Sequence, residues 1–153
     1  IHNVYGPRMP SDTPYAGVAS IFLSELTAGR APQVFEDGGQ LRDFVHVSDV
    51  ARSVVAALVS PPEATGTFNV ASGTPTSIGG MAERLAEVVD PRLEPRVVGG
   101  WRDGDVRHVL ASPDRLRDVL GVEAAIDIDT GLAELAGASL RRPPSGRGER
   151  TAR

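Results

Sequence analysis

Residues 33–47 read Gln33-Val34-Phe35-Glu36-Asp37-Gly38-Gly39-Gln40-Leu41-Arg42-Asp43-Phe44-Val45-His46-Val47, and the way this stretch folds decides much of the rest. It sets two short β-rich runs, Gln33 to Phe35 and Asp43 to Val47, on either side of a turn centred on Asp37, Gly38 and Gly39. Arg42 stands alone where the second run begins. Phe35, Phe44, Val45 and Val47 can pin the runs to a core, so one guanidinium sits on a stiff strand end, suited to bidentate contact with a phosphate or carboxylate. The competing reading is a β-hairpin in which Arg42 pairs with Asp37 or Asp43, the commoner fate of an isolated charge.

Outward from this stretch the chain alternates short strands with helices. On the N-terminal side, Ile1 to Val4 reads as the tail of a buried strand entering the loop Tyr5-Gly6-Pro7-Arg8. Ile1 is not an initiator Met, and a start in mid-element is what a fragment would show. A helix is predicted over Gly17 to Ala28, with Val18, Ile21, Phe22 and Leu26 inward and Gly29 as its stop. On the C-terminal side, Ser48 is the expected N-cap of a helix over Asp49 to Val59 that buries Val50, Val54, Val55 and Leu58. Thr67 to Ala71 reads as a strand. Ser77 then caps a helix over Ile78 to Val89, with Ile78, Met81, Ala82, Leu85, Val88 and Val89 inward and Asp90-Pro91 as the stop. A strand at Arg96 to Val98, a helix opened by Ser112-Pro113-Asp114 and closed by Gly121, and a last helix from Thr130 to Leu140 complete the pattern. Leu116, Val119 and Leu120 face inward in the first of these helices, and Leu132, Leu135 and Ala136 in the second. This alternation implies an α/β fold with a mostly parallel sheet covered by helices. Residues 141–153 lack apolar anchors and read as a basic, disordered tail.

Composition narrows the chemistry. A chain of 153 residues that is 41% hydrophobic and 24% charged can bury one domain-sized core. It has no Cys, which excludes disulfides and thiolate metal sites. No run approaches the ~20 apolar residues of a membrane span, and no signal-peptide pattern opens the sequence, so a cytoplasmic protein is expected. The net charge of −4 is uneven: the tail carries five Arg against Glu149, leaving the remainder strongly acidic and without the broad basic field that nucleic acid requires. All 16 basic residues are Arg. Without Lys there is no Walker A loop, Schiff base or Tyr-x-x-x-Lys dyad, and no G-x-G-x-x-G or G-x-S-x-G is present either. His2, His46 and His108 lack ligand spacing, so no metal site is expected. Around Gly104, the run Trp101-Arg102-Asp103-Gly104-Asp105-Val106-Arg107-His108 is either a self-neutralising loop or a site with Arg102 on a phosphate and Asp105 accepting from sugar hydroxyls.

Four motifs occur together: Asn3-Val4-Tyr5-Gly6-Pro7-Arg8, the run from Val34 to Val50, Phe68-Asn69-Val70-Ala71-Ser72-Gly73, and Gly104-Asp105-Val106-Arg107-His108. In order and spacing, residues 1–140 resemble the C-terminal, substrate-binding half of extended short-chain dehydrogenase/reductases of the NAD-dependent epimerase/dehydratase family, which act on nucleotide sugars in carbohydrate metabolism. The wording is most similar to UDP-glucose and dTDP-L-rhamnose 4-epimerases. The resemblance implies an extended Rossmann-type α/β fold and a nucleotide-diphosphate sugar as partner. Asn3 would then bond the diphosphate or sugar, Gln33, Val34 and Phe35 would line the base pocket, Arg42 and Arg102 would clamp the diphosphate, and Asp105 would take a ribose hydroxyl. The family often has Arg-Pro-Gly-Asp where this chain has Arg102-Asp103-Gly104-Asp105, which sets an extra negative charge beside Arg102. The resemblance further implies NAD as the cofactor of the intact enzyme, bound by an N-terminal half that precedes the matched residues, with a homodimer as its assembly. For this chain alone the expectation is no catalytic residue, no cofactor and no turnover, and it leaves open a non-catalytic sugar-nucleotide module or an inactive structural remnant.

Overall fold

A computed structural model describes residues 1, 3–11, 17–101 and 104–141. Its core is made by three helices, α1 (Val18–Thr27), α3 (Ile78–Val89) and α5 (Ile128–Gly137), with α3 packed between the other two. Met81, Ala82, Leu85 and Ala86 fall on one face of α3 and meet Phe22, Leu23 and Leu26 of α1 and Leu132 and Leu135 of α5. Tyr5, Val34 and Phe44 close this cluster from the strand side. Each fully buried Leu contributes about 2 kcal/mol by removal from water. The ends of these helices are set locally. Ser77 Oγ accepts from Gly80 N at 3.0 Å. Asp127 Oδ1 accepts from Thr130 N at 2.9 Å. Gly29, at φ 72°, closes α1 in a Schellman turn, with Arg30 N donating to Glu25 O and Gly29 N to Leu26 O.

The strands are short and mostly parallel, as the alternation implies, but among the described residues they form three small sheets rather than one. β1 (Val4–Tyr5) pairs parallel with β4 (Val45–His46), and β2 (Gln33–Val34) pairs parallel with β6 (Arg96–Val97). β3 (Leu41–Asp43) lies between β5 (Pro75–Ser77), antiparallel, and β7 (His108–Val109), parallel. The Asp37–Gly39 turn is therefore no hairpin: β2 and β3 join different sheets. The turn docks on the start of α3 instead, where Gly38 O accepts from Gly79 N at 2.8 Å and Gln40 O from Ile78 N at 2.9 Å. Gly38 is held at φ 73°, and a Cβ there would press on Val34 Cγ1. The second run also breaks at Phe44, and Val47 already belongs to α2 (Val47–Val59).

α2 departs furthest from the expectation. Its cap is His46, not Ser48, with His46 Nδ1 accepting from Ser48 N at 3.3 Å. Its buried residues are Asp49 and Ser53, while Val54, Val55 and Leu58 are 47%, 59% and 78% exposed. The Asp49 carboxylate turns inward because Oδ2 accepts from Ile126 N at 3.2 Å while Oδ1 pairs with Arg52, and this rotates the apolar stripe outward. Thr67 to Ala71 pairs with no strand among the described residues, although Val70 and Ala71 are buried. Ile21, Val88 and Val119, expected inward, are exposed. α4 (Asp114–Leu120) begins after Pro113 and ends at Gly121 with φ 65°. α5 starts two residues before Thr130 and stops short of Leu140. Arg141, read as the first residue of the tail, bonds to the body through Met9 O at 2.8 Å and Ser11 N at 3.0 Å. Residues 142–153 lie outside the described residues.

Candidate functional site

A cleft of about 240 Å³ opens between the N-terminus of α1, the turn after β2 and the segment that precedes β7. Its lining includes Asn3, Gln33, Phe35, Arg42 and Asp105, five of the residues singled out in the sequence, together with Gln40 and the apolar side chains of Val18, Ile21, Phe22 and Ile78.

Arg42 is carried into the cleft by the central strand of a three-stranded sheet, and backbone carbonyls orient its guanidinium. Nη1 donates to Leu41 O at 2.9 Å and to Arg107 O at 3.1 Å, and Nη2 donates to Val106 O at 2.8 Å. Neither expected acidic partner takes it. Asp37 is held by Arg107, at 2.7 Å through Nη1 and 2.8 Å through Nη2, and Asp43 accepts from Ser72 N at 2.6 Å and Gly73 N at 2.8 Å. Neutral carbonyls satisfy donors without cancelling charge, so Arg42 keeps a positive field at the cleft wall. Arg107 and the Gly39 amide hold the Asp37 carboxyl well below the usual carboxylate range. Arg107 also bonds Glu36, so its charge is paired outside the run around Gly104, for which a self-neutralising loop was one of the two readings.

Asn3 holds φ 49° and accepts from Val45 N through its carbonyl at 3.3 Å, which leaves its side chain half-buried at the cleft. Gln33 and Phe35 are exposed at the rim. Val34 does not line the cleft: it is 1% exposed, its side chain belongs to the core, and its carbonyl accepts from Val98 N at 2.9 Å. Asp105 is exposed beside Arg42. Arg102 and His2 lie outside the described residues. Gln40 was missed in the sequence, where it reads as a turn residue. Its Nε2 donates to Phe35 O at 3.2 Å, and its buried Oε1 has no hydrogen-bond partner among the described residues.

Two other groups invite a catalytic reading. His46 is fully buried, edge-on to Tyr5, with Nε2 3.5 Å from Glu134 Oε2. Tyr5 is 1% exposed and donates weakly to Asp127 O at 3.4 Å; burial first, then Asp127 and Asp49, push its phenol above its ordinary value. A buried phenol made harder to ionise is a poor proton shuttle, and Tyr5 serves the core. Among the described residues no three His, Cys, Asp or Glu side chains gather for a metal ion. A dinucleotide needs free amides at a glycine-lined helix start. In α3 the Ile78, Gly79 and Gly80 amides already donate to Gln40 O, Gly38 O and Ser77 Oγ, and α2 begins with the His46 cap. Neither of these two helix starts therefore offers a free amide cradle for NAD.

The helices and short parallel strands match one half of Rossmann-type epimerases. A UDP-N-acetylglucosamine 4-epimerase from Methanobrevibacter ruminantium M1, solved with UDP-N-acetylmuramic acid, superposes with TM-score 0.80 at 30% identity over 88% of this chain and 43% of that one. A UDP-glucose 4-epimerase from Thermotoga maritima, solved with UDP-glucose, gives 0.78 at 31% identity over 88% and 42%. In sequence, the dTDP-L-rhamnose 4-epimerase of Burkholderia thailandensis is 36% identical over 135 residues, 88% of this chain and 37% of that protein. Residues 1–71 match the NAD dependent epimerase/dehydratase family, and the chain belongs to that family. It spans about two fifths of the length of these relatives. No helix among the described residues is long and apolar enough to cross a membrane.

Proposed function

We propose that this chain is the nucleotide-sugar-binding part of an NAD-dependent nucleotide-sugar epimerase/dehydratase of the UDP- or dTDP-sugar 4-epimerase kind. One observation carries the reading: the cleft gathers Asn3, Gln33, Phe35, Arg42 and Asp105 around a guanidinium bonded to backbone carbonyls and to neither nearby Asp. In this reading Arg42 grips the diphosphate and Arg102 assists it. Asp105 accepts from a ribose hydroxyl, Gln33 and Phe35 border the base, and Asn3 reaches the diphosphate or sugar. The clamp does no chemistry itself. It spends the binding energy of the nucleotide on fixing the sugar where a separate redox centre can act. The outward stripe of Val54, Val55 and Leu58 and the unpaired run Thr67 to Ala71 suit docking against a cofactor-binding half. An inactive remnant would leave Arg42 in an acid's grip, and it is Arg107 that is so held.

Calorimetric titration of the chain with UDP-glucose and dTDP-glucose tests the reading. Saturable binding at or below about 1 mM, lost in Arg42→Ala, is expected, with no turnover on addition of NAD. No heat of binding from the folded wild-type chain would leave the remnant standing.

A further inference from the structure

The described residues 99–101 and 104–108, called the strap below, lie beside the cleft, and each of the two pieces is tied to the turn after β2. At one end Gly100 O accepts from Glu36 N at 2.7 Å. At the other, Arg107 bridges two acids of that turn: Nη1 reaches Glu36 Oε2 at 2.9 Å and Asp37 Oδ1 at 2.7 Å, and Nη2 reaches Asp37 Oδ2 at 2.8 Å. Between these anchors the chain carries Asp105, which edges the cleft, and just beyond it the Val106 and Arg107 carbonyls that orient Arg42. Gly99 and Gly104 hold φ 70° and 84°, and a Cβ at either would meet nothing within 4 Å, so neither strap glycine is wedged in place by packing. Apolar packing is sparse among the described residues of the strap, since Trp101 and Val106 are both exposed. Ahead of the β7 pairing with β3, its position depends on polar contacts: the forked Arg107 contact, the Arg42 bonds to the Val106 and Arg107 carbonyls, and His108 Nδ1, which accepts from Leu41 N at 3.2 Å.

We infer that Arg107 is a positioning residue for the nucleotide-sugar site: by locking the strap to Glu36 and Asp37 it aims the Arg42 guanidinium and sets Asp105 at the cleft. Arg107 touches no ligand in this assignment, because its donors face the turn. It acts through the two backbone carbonyls that it holds over Arg42. The inference rests on the clamp reading above and adds to it an electrostatic latch on the clamp's geometry. Because the latch is exposed, it contributes little to global stability and is screened by salt.

The test separates the two claims. Hydrogen exchange of the ligand-free chain reports the latch without any nucleotide: amides of residues 104–108 are expected to exchange about tenfold faster in Arg107→Ala than in wild type. Unchanged exchange overturns the latch. Calorimetry with UDP-glucose is expected to show Kd rising about tenfold in Arg107→Ala, with the thermal midpoint held within about 2 °C. The double variant Arg107→Asp with Asp37→Arg restores the fork with reversed polarity and is expected to recover most of the affinity. Loss of affinity with unchanged exchange and no recovery in the swap would make Arg107 a direct ligand contact and overturn the positioning role. A fall in thermal midpoint that tracks the loss of affinity would reduce it to a general structural residue. If the wild-type chain binds neither UDP-glucose nor dTDP-glucose, the clamp reading fails, whatever the exchange data say of the latch.

Discussion

α3 and α2 carry similar apolar patterns and meet opposite fates. In α3 the stripe of Met81, Ala82, Leu85 and Ala86 is buried between two neighbouring helices. In α2 the stripe of Val54, Val55 and Leu58 faces out, and Asp49 and Ser53 occupy the buried side. Periodicity establishes that a face is apolar; it does not name the body that covers it. The α2 face is turned outward by Asp49, whose carboxylate is committed to Ile126 N and Arg52. The difference leaves α2 with an apolar stripe exposed among the described residues.

Substitutions can break or sharpen that contrast. The largest effect is expected at the packed helices: Leu132→Ala should cost about 3 kcal/mol in chemical denaturation, since Leu132 has no exposed surface and no route for collapse. Gly131 beside it is backed by the Tyr5 ring, so Gly131→Ala should cost about 2 kcal/mol by forcing the ring away. Next comes Asp43→Ala, which removes a buried carboxylate that accepts from the Ser72 and Gly73 amides and should cost about 2 kcal/mol. Smallest is Leu58→Ser on α2, expected to change stability by less than about 0.5 kcal/mol while improving solubility. A loss there as large as at Leu132 would mean that the α2 stripe is covered within this chain.

An alkaline titration sharpens the picture of the core. The chain has no Lys and no Cys, so above pH 9 the side chains that titrate are Tyr5 and Tyr15. The folded-state value of Tyr5 is raised above its ordinary 10.0, chiefly by burial. The sign follows directly: below pH 10 both states hold the proton, and above it the unfolded chain releases a proton that the folded chain retains. Stability is therefore expected to fall as pH climbs from 10, with phenolate absorbance rising together with unfolding. Tyr5→Phe should remove that dependence and leave stability at pH 7 nearly unchanged.

Much of the site was legible because its residues sit in motifs. Arg42, Asp105, Asn3, Gln33 and Phe35 meet at one cleft although up to 102 positions separate them in the chain. The helix over Ile78 to Val89 was legible too, because Ser77 and Asp90-Pro91 are local signals that tertiary structure had no reason to override. What was not legible depended on distant partners. Gln33 to Phe35 and Asp43 to Val47 look like the arms of a hairpin, yet β2 finds Arg96–Val97, β3 finds Pro75–Ser77 and His108–Val109, and β4 finds Val4–Tyr5. The turn residues alone do not show that Gly38 is tied to α3. Val34, placed in the base pocket by the resemblance alone, is buried in the core, while Gln40 reaches the cleft. His46 outcompeted Ser48 as a cap because its ring is locked against Tyr5 with Nδ1 aimed at the helix start.

The central claim is that the Arg42 cleft holds a nucleotide diphosphate, and phosphorus NMR of UDP-glucose reads it most directly. Titration with the wild-type chain is expected to shift and broaden both phosphate resonances, and Arg42→Ala, folded to the same thermal midpoint, is expected to abolish the change. Phosphate resonances that respond equally to the wild-type and Arg42→Ala chains, or to neither, would contradict the account.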